Sequence, residues 1–114
     1  MKRLVYAPAA LASLEDIFAW TIANFGDVQA QQYTDQLIGR LTLLAAGQGP
    51  KPRPCAQLVR TNRKVAGLCF YREGQHYLIL RETSDTLELV EAFHGRMNIE
   101  ARLRDLQQPD ERPD

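Results

Sequence analysis

Residues 22–30 read IANFGDVQA, and the path of the chain through Gly26 and Asp27 decides what it builds. Glycine reaches the left-handed conformation that ends a helix without steric cost, and an aspartate directly after it accepts the unpaired N–H groups that open the next helix. The pair therefore predicts a stop and a restart, two helices meeting in a tight turn. Upstream, Leu11, Leu14, Phe18, Ile22 and Phe25 recur at steps of three and four, one face of a helix that starts near Pro8, a residue tolerated in a first turn. Trp20 lies off that stripe and flanks it. Downstream, Ala30, Tyr33, Leu37, Leu41 and Leu44 mark the inner face of the second helix, which Gly47 ends. The expectation is an antiparallel helical hairpin, preceded by a short strand over residues 2–6.

Beyond the hairpin the pattern changes. GQGPKPRPCA at residues 47–56 has two glycines and three prolines and reads as the main loop, unable to form helix or interior strand. After it the period becomes that of strands, in QLVRT (57–61), KVAGLCFYR (64–72), HYLILRE (76–82) and TLELVEAFH (86–94), with short polar breaks at 73–75 and 84–85. Both faces of residues 76–81 are largely apolar, which marks a central strand. In the last strand Leu87, Leu89 and Phe93 fall on one face by alternation, with Val90, Ala92 and His94 on the other. Asn98 is a candidate cap for a final helix over 98–107, with Ile99, Leu103 and Leu106 on one side. The fold class expected is α+β: an N-terminal strand, an antiparallel helical hairpin packed on a mostly antiparallel three- to four-stranded sheet, and a short C-terminal helix.

At 114 residues, 45% hydrophobic and 25% charged, the composition is that of one globular domain, expected over residues 1–107 and followed by a polar tail at 108–114. MKRLVYAPAALAS imitates a secretion signal, yet Pro8 interrupts its short apolar run, which continues into an amphipathic pattern bearing Glu15 and Asp16. No stretch approaches the roughly 18 apolar residues of a membrane span. A cytoplasmic protein without membrane association is expected. Cys55 and Cys69 are the only cysteines, and neither belongs to a metal-ligand pattern, so reduced structural thiols, no metal and no cofactor are expected.

The net charge is zero but segregated: residues 40–81 hold eight basic groups and one acidic, whereas residues 82–114 hold four and nine. A basic middle third can attract nucleic acid or an acidic partner. No phosphate loop, nucleophile elbow or zincin motif is present. An imidazole acting in catalysis would have to be His76 or His94. His76 opens a strand after a hairpin and reads as a surface or pairing residue. His94 ends a strand at the sheet rim, next to Gly95, which is expected to supply a positive φ at the corner.

The segments LEDIFAWTIANFG (14–26), Ala30, Tyr33 and Leu37, GPKPRPC (49–55), CFYRE (69–73) and AFHGRMN (92–98) occur in this order on these elements. In this the chain resembles the RelE/ParE superfamily of type II toxin–antitoxin toxins over roughly residues 3–106, and it looks closest to the ParE branch. The resemblance implies a small toxin neutralised by a cognate antitoxin whose C-terminal segment wraps it. For the ParE branch it implies a non-enzymatic inhibitor of DNA gyrase and so of replication. For the RelE branch it implies a ribosome-dependent endoribonuclease acting on mRNA, with the ribosome as partner. No tyrosine follows Tyr77, so the terminal tyrosine of many RelE-like enzymes is missing. Within the ParE pattern, Glu91 stands where many relatives carry arginine and Gly67 where many carry histidine.

The residues singled out as target- or antitoxin-binding are Arg60, Arg63, Lys64, Arg81, His94 and Arg96. In the RelE-like alternative, His94, Arg96, Arg63 and Arg81 would form the catalytic set, the cations holding a scissile phosphate. Met97 and the final helix are added only as a candidate edge facing the target or the antitoxin.

Overall fold

The computed structural model describes residues 1–57, 67–95 and 103. Strand β1 (Arg3–Tyr6) leads into helix α1 (Pro8–Phe25), with Pro8 in the first turn. Gly26, at φ +92°, then serves both helices: its N–H donates to the Ile22 carbonyl at 2.9 Å, and its own carbonyl accepts from the Ala30 N–H at 3.1 Å. Helix α2 (Asp27–Ala45) begins at the next residue. Asp27 is thus not the side-chain cap expected from the sequence. It lies inside the first turn, where its carboxylate complements the positive end of the helix dipole.

After the hairpin come β2 (Arg53–Pro54), a single 3-10 turn (Cys55–Gln57), β3 (Leu68–Glu73), β4 (His76–Glu82) and β5 (Thr86–His94). They form a five-stranded sheet in the order β1-β5-β4-β3-β2. The architecture is the expected α+β, with two differences. The sheet is mixed, because β1 pairs with β5 in parallel, Arg3 opposite Thr86 and Tyr6 opposite Leu89. It is also wider, because Arg53 and Pro54 in the proline-rich loop pair with Phe70 and Cys69. Proline is admissible there because an edge strand leaves one side of its backbone unpaired. The expected strand over 57–61, the start of the one over 64–72, the helix over 98–107 apart from Leu103, and the tail lie outside the described residues.

Strand β4 is central, and Leu78, Ile79 and Leu80 in succession are fully buried. Leu78, Leu80, Leu87, Leu89 and Ala92 form one core with Ala10, Leu37, Leu41 and Leu44 of the helices. Ile79, Phe70, Leu68 and Phe93 form a second core on the other side of the sheet with Cys55 and Leu103. Two corrections to the expected faces follow from this packing. In α1 the inward residues are Ala10, Leu14, Ile17 and Thr21, whereas Leu11 (48% exposed) and Phe25 (58%) point outward. The helix is apolar around most of its circumference, so periodicity allowed two stripes and packing against α2 and β5 selected one.

In β5 an extra residue is inserted. Leu80 pairs with Leu89 but Ile79 pairs with Glu91, so Val90 makes a bulge. Past it the alternation is reversed: Phe93 packs with Ile79, and Ala92 joins Leu87 and Leu89 on the helix side. His94, two residues beyond Ala92, therefore also turns toward the helices. Among the described residues no helix is long and apolar enough to cross a membrane.

Candidate functional site

The β3–β4 turn consists of Gly74 and Gln75, with Gly74 at φ +58°. It lies under α2, and three residues on successive turns of that helix hold it. Gln36 donates to Glu73 Oε2 at 2.7 Å and Arg40 Nε to Glu73 Oε1 at 2.9 Å, while the guanidinium stacks 5.0 Å over Tyr71. The Tyr33 hydroxyl accepts from the Gln75 N–H at 3.0 Å and shares a hydrogen bond with His76 Nδ1 at 2.6 Å.

His76 is only 8% exposed, so it is a pairing residue but not a surface one. It stands opposite His94 in the β4–β5 ladder, with the two rings edge to face at 5.3 Å. Burial, with the neighbouring His94 as a smaller contribution, pushes the His76 pKa down to about 4, so the ring is neutral at pH 7.

These histidines form the floor of a hollow of about 380 Å³ at the turn end of the helical hairpin, walled by Trp20, Phe25, Thr21, Gln29 and Tyr33. A smaller hollow, bounded by Asp16, Ile17 and Trp20, shares the same two imidazoles. Trp20 and Phe25 meet edge to face at 5.9 Å and are both more than half exposed. Val28, in the first turn of α2, is 72% exposed, so the tip of the hairpin is an apolar surface.

Of the residues singled out from the sequence, Arg60, Arg63, Lys64 and Arg96, like Met97, lie outside the described residues. The structure does not bring Arg81 and His94 together. Arg81 is five residues from His76 along β4, roughly 17 Å at the rise of a strand, and it points to the opposite face. There it pairs with Glu88 Oε1 at 3.3 Å. Glu91, beside the bulge, accepts a hydrogen bond from the Ser13 hydroxyl of α1. Gly95 does not adopt a positive φ; its N–H closes the sheet end on the Gln75 carbonyl at 2.8 Å. Sequence reasoning missed Trp20, Tyr33 and His76 as one cluster, because the bulge that turns His94 toward them leaves no mark in the residue pattern. Among the described residues no group of three or more side chains could hold a metal ion.

Residues 4–99 match the ParE toxin family of type II toxin–antitoxin systems. The chain belongs to the ParE toxin family. Toxin ParE1 from two strains of Mycobacterium tuberculosis is 32% identical over 104 residues, spanning 90% of this chain and 98% of the relative. The fold is also that of a chain in the chromosomal ParDE system of P. aeruginosa, with a TM-score of 0.63 at 17% identity over 82% of this chain and 96% of that one. The chain is therefore a ParE-type toxin of a type II toxin–antitoxin system, and the His76–His94 hollow lies between its helical hairpin and its sheet.

Proposed function

We propose that this ParE-family toxin inhibits DNA gyrase by binding, without covalent chemistry of its own, and is neutralised in the cytoplasm by a cognate antitoxin. The observation that carries the reading is the family match over residues 4–99. The geometry favours it over phosphate chemistry. Arg81, one of the cations proposed to clamp a scissile phosphate, sits on the far face of the sheet from His94, and His76 is buried and held by Tyr33. A general acid–base pair needs groups within hydrogen-bond reach of one reacting centre and pKa values near the working pH, and a pKa of about 4 does not suit His76 to that role. The apolar hairpin tip supports a protein partner, since exposed apolar side chains gathered in one place mark interaction sites.

The test is a supercoiling assay with purified toxin, gyrase and relaxed plasmid. Inhibited supercoiling or linearised DNA, reversed by the antitoxin, is the expected result. Normal gyrase activity together with cleavage of ribosome-bound mRNA would replace the reading with the endoribonuclease one.

A further inference from the structure

The two hollows beside the histidine pair adjoin one another, with Trp20, His76 and His94 in the lining of both. Together they make a slot that runs from Phe25 and Tyr33 at the hairpin turn to Asp16, one helical turn before Trp20. Its walls are aromatic along most of their length. Its charge is one-sided: the described lining residues include the Asp16 carboxylate and no lysine or arginine. Aromatic faces carry negative potential and attract cations, and a carboxylate at one end fixes where the charge comes to rest. Neutral His76 adds another ring and no competing positive charge at pH 7.

We infer that this slot is a recognition site for an arginine side chain presented by a partner polypeptide. The aliphatic stem would lie along Phe25 and Tyr33, and the guanidinium would stack on Trp20 and pair with Asp16. Arginine suits the slot better than lysine, because its planar, weakly hydrated head stacks on rings while its N–H fork engages a carboxylate. A volume of about 380 Å³ in the larger hollow alone is far more than a bare cation fills and accommodates a long side chain. An apolar anchor would use the same walls but would gain nothing from Asp16, so charge separates the two occupants.

Trp20 is the only tryptophan in the chain, so its fluorescence reports on the slot directly. The experiment titrates the full-length toxin with N-acetyl-arginine amide, its neutral isostere N-acetyl-citrulline amide, and N-acetyl-leucine amide. The arginine probe should give a saturable change, with citrulline at least about fivefold weaker, the order expected of a partly exposed cation–π contact joined to an ion pair. Asp16→Asn, an exposed position on α1, should bring the arginine and citrulline responses to within about twofold of each other. The inference is overturned if no saturable response occurs, if citrulline binds as well as arginine, if the leucine probe binds more tightly, or if Asp16→Asn leaves the preference unchanged.

Discussion

Tyr33 on α2 and His76 on β4 are joined by a hydrogen bond of 2.6 Å between the phenol oxygen and Nδ1. Forty-three residues apart, they lock the helical hairpin to the β3–β4 turn, because the same hydroxyl also accepts the Gln75 N–H. Tyr33→Phe keeps the ring packing and strands two partners, so a loss of about 1–3 kcal/mol in urea unfolding is expected. An unchanged midpoint would mean that water replaces the hydroxyl at no cost.

The same histidine makes stability depend on pH. Its folded pKa, about 4, lies below the ordinary value of 6.5. As pH falls through 6.5 the unfolded chain takes up a proton that the native chain does not, so the native state loses ground until pH reaches about 4. The loss attributable to His76 between pH 7 and 4 is about 3 kcal/mol as an upper order of magnitude. The NMR titration of the His76 ring should show a midpoint near 4, and a midpoint above 6 would refute this assignment.

Gly74 cannot be replaced cheaply. A Cβ built there would lie 2.7 Å from the Tyr33 hydroxyl oxygen and 2.8 Å from its Cε1, and φ is +58°. Gly74→Ala must either displace the Tyr33 ring or reshape the turn, and should cost about 2 kcal/mol or more. The double variant with Tyr33→Ala should recover part of that loss. Strict additivity in thermal or urea unfolding would count against the contact.

Arg40 and Glu73 form a half-buried ion pair in which the guanidinium also covers Tyr71. A double-mutant cycle with Arg40→Ala and Glu73→Ala should return a coupling of about 1 kcal/mol, above the median for exposed pairs because solvent screens this one less. A coupling indistinguishable from zero would show that desolvation offsets the attraction.

Cys55 is fully buried in the core behind the sheet, and burial, with Cys69 adding to it, pushes its thiol pKa up to about 12. The reactive thiolate is therefore scarce and shielded. Iodoacetamide should label Cys55 only under unfolding conditions, as read by peptide mass spectrometry. Rapid labelling of the native protein would place Cys55 in a more open site.

Much of the fold was legible because it is written in local chemistry. Gly26 requires a turn wherever it stands after a helical stripe, and the inner face of α2 is unambiguous, since Ala30, Leu37, Leu41 and Leu44 are its long apolar line and all are buried. The boundaries of β4 and β5 followed from alternation and from the polar breaks beside them. The segments that placed the chain in its family are likewise properties of the sequence alone.

Other features depended on contacts between distant residues. The parallel pairing of β1 with β5 joins strands about 80 positions apart in the chain, and nothing local to Arg3–Tyr6 names its neighbour. The inward face of α1 was open because its apolar residues extend around more than one stripe, and only its fit against α2 and β5 chooses between them. The candidate site depended on a single inserted residue. Without the bulge at Val90, alternation would direct His94 away from the helices. With it, His94 turns to face His76, Trp20 and Asp16. Sequence determined which side chains were available; register, which is fixed only when the whole sheet packs, decided which of them met.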